Sequence, residues 1–321
     1  MDKSTRDGYG DALLELGGKN KDVVVLSAGL SDSLRIEAFR DKFPTRYFEM
    51  GIAEQDMMGV AAGLSLTGKI PFVSSFGVFS VCRPYDQIRV SVAFMNANVK
   101  IAGSHTGIHV GEDGATAQAL EDIALTRVLP NLTVIVPADY YEAKKAVLAA
   151  AKIKGPVYIR LGRNKTPMIT QPKDEFVLGK AKVMKKGKDI AIIACGNLVY
   201  ESLEAAKQLE TQGIKARVIN CHTIKPLDKE TILKAARECK AIVTAEDHHK
   251  IGGLGSAVAE LVSENHPVPI KMIGVDDVFA EGGKPEELYR KYGITSLHIQ
   301  KAAKQLIKKT LYHVSQYTLS C

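Results

Sequence analysis

Short apolar runs alternate with helix-like patterns along most of this chain, and this rhythm constrains the fold more than any other feature. The apolar runs predict buried strands at Val23–Leu26, Ile70–Phe76, Val99–Ile101, Val134–Val136 and Val157–Ile159. The segments between them predict helices at Glu54–Leu66, Tyr85–Met95, Ala117–Leu129 and Tyr140–Ala151. Alternation at this spacing is typical of a parallel sheet that helices cover on both faces.

The alternation stops after Arg163 and restarts near Ile190. The residues between carry prolines, glycines and several lysines, which are typical of a linker that crosses between domains. Beyond it, the pattern predicts strands at Ile190–Ala194, Ala216–Ile219 and Ala241–Thr244, and helices at Glu201–Leu209 and Leu254–Val262. We therefore predict an α/β protein with two consecutive domains, each a mostly parallel sheet covered by helices, at residues 1–165 and 188–321, with a linker at 166–187.

The composition and the charge fit a globular protein with a large core. Of the 321 residues, 45% are apolar and 25% are charged. The net charge is +7, and part of the excess lies at Lys301, Lys304, Lys308 and Lys309. These lysines fall on the polar side of a predicted helix, which favours a solvated face over a nucleic-acid site. We expect no nucleic-acid partner.

The cysteines and the first residues indicate a reducing compartment. The five cysteines, among them Cys82 and Cys321, are widely spaced and include no C-x-x-C pair, which argues against a zinc site or a disulfide framework. The first residues contain no apolar signal region, and no run of about 18 apolar residues could span a membrane. We therefore expect a cytoplasmic protein without a membrane partner.

Chemically capable residues follow several of the predicted strands. Glu54, in Gly51-Ile52-Ala53-Glu54-Gln55, opens a helix, where it either complements the helix dipole or acts in a ligand site at a strand end. Phe76 and Phe79 either pack in the core or stack on a flat ligand. His105 lies in a glycine-rich loop with Asp113 nearby, a dense set of titratable groups.

Two further segments allow a structural and a functional interpretation. Arg160-Leu161-Gly162-Arg163 ends a strand, where an arginine either forms an interdomain salt bridge or holds a phosphate. Gly252-Gly253-Leu254-Gly255-Ser256 has the wrong spacing for a dinucleotide fingerprint, and no predicted strand immediately precedes it. We interpret it as the first turn of a helix.

Taken together and in this order, these segments resemble transketolase over essentially the whole chain. The motifs that carry the resemblance are Gly51-Ile52-Ala53-Glu54-Gln55, Asp86-Gln87-Ile88-Arg89, Gly103-Ser104-His105, Gly111-Glu112-Asp113-Gly114, Thr223-Ile224-Lys225-Pro226-Leu227-Asp228 and Glu246-Asp247-His248. The resemblance implies a pyrimidine-binding domain for thiamine diphosphate, followed by a transketolase C-terminal domain.

The resemblance also implies roles for single residues. Glu54 would meet N1′ of the cofactor's aminopyrimidine, and Phe76 and Phe79 would pack on that ring. His105 would lie near the reacting sugar hydroxyls and assist proton transfers, and Asp113 would contact the same hydroxyls. The phosphate of the sugar would be held by Arg6, Ser33 and Arg163.

Two positions depart from the family pattern. Ala117 stands where many transketolases have histidine or glutamine, so a polar contact is either lost or supplied by Gln118. Cys82 stands where some members have a third aromatic residue, which would leave that edge of the pyrimidine pocket looser.

The chain lacks the signature of the family's diphosphate-binding domain, a Gly-Asp-Gly with an asparagine further on. The resemblance therefore implies a second polypeptide, the N-terminal transketolase subunit, which would bind the diphosphate through Mg²⁺. We expect no metal site in this chain, an α2β2 assembly, and no activity of the chain alone. The expected reaction moves a two-carbon ketol unit between sugar phosphates, as in the pentose phosphate pathway.

Three other functions remain open at the level of sequence. The β subunit of a 2-oxo acid dehydrogenase shares the domain plan and the glutamate, but it needs no sugar-phosphate residues. A deoxyxylulose phosphate synthase is normally one chain. A non-catalytic relative would have no reason to keep Glu54 among intact neighbours. Transketolase is favoured by the joint presence of Arg6, Ser33, His105, Asp113 and Arg163.

Overall fold

Two sheets organise the molecule. This computed structural model describes residues 2–239 and 241–318, with side chains up to residue 309. Its strands are Val23–Ser27 (β1), Tyr47–Glu49 (β2), Ile70–Phe76 (β3), Lys100–Ser104 (β4), Thr133–Ile135 (β5), Val157–Arg160 (β6), Lys182–Lys185 (β7), Ile190–Ala194 (β8), Ala216–Asn220 (β9), Thr223–Lys225 (β10), Ile242–His249 (β11) and Ile270–Val275 (β12). Cys321 lies outside the described residues.

Helices connect these strands. They are Thr5–Lys19 (α1), Glu37–Lys42 (α2), Glu54–Leu66 (α3), Gly77–Val81 (α4), Tyr85–Gln87 (α5), Asp122–Arg127 (α6), Tyr140–Ala150 (α7), Leu198–Glu210 (α8), Lys229–Cys239 (α9), Leu254–Asn265 (α10), Pro285–Lys291 (α11) and Ser296–Thr318 (α12). Pro44–Arg46 and Ile108–Asp113 form 3₁₀ turns, and Ile88–Phe94 forms a π-helical segment.

Both sheets are mostly parallel. Over the described ranges, the first sheet has the strand order β10-β5-β6-β4-β3-β1-β2, and the second has the order β12-β11-β8-β9-β7. One edge strand of each sheet, β10 and β7, runs antiparallel to its neighbour. The prediction of two α/β domains with mostly parallel sheets is confirmed.

The central strands are apolar on both faces because helices cover both faces of each sheet. All residues of β1, β4 and β8 are buried. One of them is Lys100, whose ammonium group donates to the carbonyl oxygens of Ile153 and Gly155 at 2.9 and 2.6 Å. Apart from Lys100, the burial of these strands agrees with the apolar runs from which they were predicted.

Two predicted helices differ from the structure. The helix predicted at Ala117–Leu129 begins only at Asp122, because the backbone before it pairs elsewhere: the Ala119 carbonyl accepts from the amide of Gly107 at 2.9 Å. The segment predicted as a helix at Tyr85–Met95 starts as one short turn and continues as a π-helix.

The strand predicted at Ala241–Thr244 runs on to His249. It therefore ends three residues before Gly252, and a strand does precede the glycine-rich segment, contrary to the sequence interpretation. That segment begins α10, as predicted.

The predicted linker is an ordered crossing. The Asp139 carboxylate accepts hydrogen bonds from the backbone amides of Ile169 and Thr170 at 2.8 and 2.6 Å. Within the same segment β7 forms the edge of the second sheet, a strand that the sequence did not predict. Conversely, β10 follows the second domain's β9 but pairs with β5 of the first sheet. The exact domain boundaries stay a prediction.

Among the residues that the structure describes, no helix is long and apolar enough to cross a membrane.

Candidate active site

The sequence-predicted site residues lie on one edge of the first sheet. Strands β1, β2, β3, β4 and β6 are parallel, so their carboxyl ends share that edge. Glu54 follows β2, Phe76 ends β3, His105 follows β4 and Arg163 follows β6. Open α/β sheets bind ligands at this edge.

Three aromatic rings form a stack at the ends of β3 and β4. The rings of Phe76 and Phe79 lie 5.7 Å apart with 14° between their planes. The imidazole of His105 lies 3.8 Å from the Phe76 ring at 19°. Phe79 follows Phe76 by three residues across the β3–α4 turn, and this spacing brings the two rings onto one side. Both phenylalanines are partly exposed, so the stack is open to solvent and is not a closed core. We call the region bordered by this stack, Arg6 and Arg163 the cleft.

Glu54 is held at the start of α3 with 5% of its surface exposed. Its Oε1 accepts a hydrogen bond from Nη1 of Arg83 at 2.8 Å. The Arg83 guanidinium also lies over the ring of Phe79, 4.1 Å from its centroid. Glu54 is therefore connected to the aromatic stack through a residue that the sequence analysis missed. Arg83 follows Phe79 by four residues, a spacing that could have indicated a contact between the two side chains.

A cationic group contacts the imidazole of His105. Nη1 of Arg6 donates to the carbonyl oxygen of Ser33 at 2.7 Å and contacts Nε2 of His105 at 3.5 Å. Because arginine only donates, Nε2 is the accepting nitrogen, which leaves the proton on Nδ1, 3.0 Å from the Ser104 hydroxyl. The Nε of Arg6 is buried and has no partner among the described residues.

The start of α1 is fixed so that Arg6 faces this cleft. The amide of Gly162, two residues beyond β6, donates to the Thr5 hydroxyl at 2.7 Å. Ser4 and Asp7 form a capping box at the first turn of α1. Asp7 also pairs with Arg35 at 3.2 Å.

Arg163 and Asp113 meet at the mouth of the cleft. Nη1 of Arg163 lies 3.7 Å from Oδ1 of Asp113 and donates to the Val110 carbonyl at 2.7 Å. Both side chains are more than one third exposed, so the pair is open to solvent and to a ligand. Arg163 and Asp113, which the sequence predicts in one substrate site, therefore lie close together in the structure.

The cleft favours neutral histidine and bound anions. Burial, and then the charges of Arg6, Arg163 and Arg35, lower the pKa of His105 to about 3. Burial, followed by the charge of Arg35, also lowers the pKa of Arg6. Three guanidinium groups therefore act on one small region, and an anion would relieve their mutual repulsion.

The two departures from the family pattern have structural consequences. Ala117 is buried, and the neighbouring Gln118 donates its amide to the carbonyl of Glu281 at 3.0 Å. The side-chain amide of Gln118 thus binds the second domain. This donor is therefore not available for the polar contact that Ala117 lacks. Cys82 has no aromatic ring, and burial, followed by the charges of Glu121 and Asp122, raises the pKa of its thiol to about 11.

Arg160 has the structural role that the sequence left open for this segment. Its guanidinium donates to both oxygens of Asp122, at 2.7 and 3.1 Å, and to the carbonyl of Asp247 in the second domain at 2.9 Å. Asp247 in turn accepts from the amides of Ile108 and His109, at 2.9 and 3.3 Å. The two domains are therefore joined directly behind the loop that carries His105.

A small cavity of about 30 Å³ lies at this domain junction. Thr106, Arg160, Asn197 and Asp247 are among its lining residues. That volume suits one or two water molecules and not a cofactor. Among the described residues, no group of three or more histidine, cysteine, aspartate or glutamate side chains could hold a metal ion.

Comparison with known proteins identifies the family. Residues 2–168 match the transketolase pyrimidine-binding domain, and residues 179–299 match the transketolase C-terminal domain. The chain belongs to the transketolase family. This family depends on thiamine diphosphate.

Several transketolase relatives are similar along their full length. The 6-deoxy-6-sulfo-D-fructose transketolase subunit of Clostridium sp. strain MSTE9 is 43% identical over 304 residues, covering 95% of this chain and 94% of the relative. One of the subunits of the apulose-4-phosphate transketolase of Phocaeicola vulgatus is 40% identical over 305 residues, covering 95% and 97%. The β subunit of a split-gene transketolase, described as an inactive β4 tetramer, has a TM-score of 0.89 and 48% identity, with 96% of this chain and 99% of that chain covered.

Longer transketolases contain a region that is similar to this chain. The transketolase of Campylobacter jejuni has a TM-score of 0.79 and is 26% identical, with 94% of this chain but only 46% of that chain covered. The present chain therefore corresponds to about half of a single-chain transketolase.

Proposed function

We propose that this chain is the pyrimidine-side subunit of a split transketolase that transfers a two-carbon ketol unit from a ketose phosphate to an aldose phosphate. A partner chain would carry the diphosphate- and Mg²⁺-binding domain, and each active site would form between the two chains. Support comes from the relatives that are transketolase subunits of the same length and from the length of single-chain transketolases.

The main support for the proposal is the spatial arrangement of the site. A buried carboxylate, an aromatic stack and a cationic cleft lie next to one another along one edge of the sheet. Glu54 is nearly inaccessible to solvent, which suits a carboxylate that shares a proton with a ring nitrogen. Phe76 and Phe79 offer apolar ring faces next to it. These residues therefore fit an aminopyrimidine, and the bound cofactor would supply the carbanion chemistry.

The other residues of the cleft would bind the sugar phosphate. Arg6 and Arg163 provide guanidinium donors for the phosphate, and the Arg6 Nε is a buried donor without a partner among the described residues. His105 is neutral because its pKa is low, so its imidazole can accept one hydrogen bond and donate another near the sugar hydroxyls. Asp113 would accept hydrogen bonds from those hydroxyls.

The test is a coupled assay of glyceraldehyde 3-phosphate release. The chain would be mixed with its partner, thiamine diphosphate, Mg²⁺, xylulose 5-phosphate and ribose 5-phosphate. We expect activity in the mixture and none from either chain alone. A mixture that forms a complex, binds the cofactor and yet converts no ketose phosphate would contradict the proposal, and turnover of a 2-oxo acid would replace it with the dehydrogenase function.

Two carboxylates in the first turn of α3 give a matched pair of variants. Glu54→Gln should lower turnover by about 10²–10⁴-fold, because the glutamine cannot share a proton with N1′. Asp56→Asn removes a first-turn carboxylate that is exposed, and it should leave turnover nearly unchanged. Equal effects of the two variants would mean that Glu54 serves only the helix dipole.

The phosphate residues are tested by the substrate dependence of KM. Arg163→Ala should raise KM for ketose phosphates by about 10- to 100-fold, because a charge-assisted hydrogen bond is lost. The KM for a ketose without a phosphate should change little. An unchanged KM for the phosphorylated donor would remove Arg163 from the phosphate site.

A further inference from the structure

The guanidinium group of Arg83 makes the same two kinds of contact that the proposed function gives to the aminopyrimidine ring. It donates a hydrogen bond to the buried Glu54 carboxylate at 2.8 Å. It also lies over the face of Phe79, 4.1 Å from the ring centroid. Guanidinium is flat and carries several N–H donors, so it can stand in for a planar heterocycle on these two surfaces.

The backbone of Arg83 is fixed beside Glu54, whereas its side chain can move away from Glu54. The side-chain amide of Gln55, next to Glu54, donates to the Arg83 carbonyl oxygen at 3.2 Å. The Arg83 side chain is 47% exposed, whereas Glu54 is 5% exposed. A long, half-exposed side chain can rotate into solvent without disturbing the fold.

We infer that Arg83 is a competitor for the pyrimidine position: it occupies Glu54 in the free subunit and is displaced when the cofactor binds. Arg83 and the pyrimidine compete because the Glu54 carboxylate and the Phe79 face can hold only one of them. An ionised carboxylate that is paired with arginine only accepts hydrogen bonds, whereas the proposed role of Glu54 requires it to share a proton with N1′. Both partners cannot use Oε1 and the Phe79 face at once.

This inference rests on the proposed function and makes it more specific. In the free subunit, the ion pair satisfies a buried carboxylate that would otherwise be costly to hold. In the assembled enzyme, the same pair has to be broken, so it reduces the apparent affinity for the cofactor. Arg83 is thus a positioning residue whose removal should strengthen binding, the opposite of what the loss of a structural contact does.

The experiment measures thiamine diphosphate binding by calorimetry to the assembled complex with Mg²⁺. Arg83→Met should bind the cofactor about fivefold more tightly than the unmodified chain, as expected for the loss of a half-exposed ion pair. Arg89→Met, an exposed arginine of the following π-helical segment, is the charge-matched control and should leave the dissociation constant unchanged.

Two comparisons show whether the effect comes from competition at Glu54. Methylene diphosphonate, which has a diphosphate but no pyrimidine, should bind equally well to the assembled complex with the unmodified chain and to the complex with Arg83→Met. In a Glu54→Gln background, Arg83→Met should no longer tighten cofactor binding, because the competing ion pair is absent.

Equal or weaker cofactor binding by Arg83→Met would overturn the inference and leave the proposed function intact. A gain that persists in the Glu54→Gln background would also overturn it. Failure of the unmodified complex to bind thiamine diphosphate at all would instead refute the proposed function, and this inference with it.

Discussion

Replacing Arg160 with methionine should test the buried charge network that joins the two domains. Arg160 and Asp122 are 6% and 0% exposed, and two hydrogen bonds connect them. The same guanidinium binds the Asp247 carbonyl across the domain junction. Methionine fills much of the same volume, but it supplies neither the charge nor the donors.

The expected cost follows from the burial of the partner that remains. Removing one member of a buried ion pair leaves an uncompensated charge, which lowers the free energy of unfolding by about 3–5 kcal/mol. The Tyr158 hydroxyl, 2.5 Å from Asp122, still donates to the carboxylate and keeps the loss within that range. For domains of this size the melting temperature should fall by roughly 6–20 °C.

The pH dependence of the variant adds a second, signed expectation. Burial raises the pKa of Asp122, but the charge and hydrogen bonds of Arg160 outweigh it and hold the pKa below its ordinary value of 3.8. This ion pair therefore stabilises the protein above pH 3.8 and is lost as the pH falls through the depressed value. Without Arg160, burial dominates and Asp122 takes up a proton at higher pH. The stability deficit of the variant should therefore shrink between pH 7.5 and pH 5.

Thermal unfolding followed by circular dichroism at both pH values is the assay. Arg163→Met, whose partner is 3.7 Å away and solvent-exposed, is the control and should cost less than about 1 kcal/mol. Arg160→Met/Asp122→Asn should be more stable than Arg160→Met, because it removes the unpaired charge. A melting temperature of Arg160→Met within roughly 2 °C of the control would contradict this role of Arg160. A double variant that is no more stable than Arg160→Met would contradict it as well.

Three further outcomes follow from single contacts. Gly107→Ala should cost more than about 2 kcal/mol in urea unfolding, because its backbone has φ +73° and a Cβ would overlap the Asp247 carboxylate; a loss below about 0.5 kcal/mol would contradict this. Burial lowers the pKa of His222 to about 4, so the native state stays neutral while the unfolded state binds a proton below pH 6.5. The neutral His222 therefore stabilises the wild type fully above pH 6.5. As the pH falls from 6.5 to 4, the difference in free energy of unfolding between the wild type and His222→Gln should decrease by about 1.4 kcal/mol per pH unit in urea titrations. A constant difference would contradict this. The Cys82 thiol, with a pKa of about 11, should react with iodoacetamide at pH 7.5 more slowly than free cysteine, as followed by mass spectrometry; a faster reaction would contradict this.

The strand pattern was readable because buried parallel strands are apolar on both faces. The runs at Ile70–Phe76 and Ile190–Ala194 coincide with β3 and β8. The helix predicted at Glu54–Leu66 coincides with α3, whose buried positions between Met57 and Ala62 recur at helical spacing. These elements depend on local patterns, and so the sequence alone predicts them.

The edge strands and the short helix depended on partners that are distant in sequence. β10 is three residues long and pairs with β5 some 90 residues earlier. β7 consists of lysines, valine and methionine and was not separable from a linker by composition. At Ala117 to Glu121 the tertiary contacts of Ala119 and Gln118 outweigh the helical periodicity.

The sequence alone predicts the family, the two-domain α/β plan and the strand ends at which the candidate site residues stand. Motif order and strand order suffice for this, because parallel strands direct their carboxyl ends to one edge. The contacts between side chains depend on how the chain folds. The contact of Arg83 with Glu54 and the pairing of Arg160 with Asp122 join residues 29 and 38 positions apart. Side-chain direction and burial select those partners, and neither quantity is encoded in a local pattern.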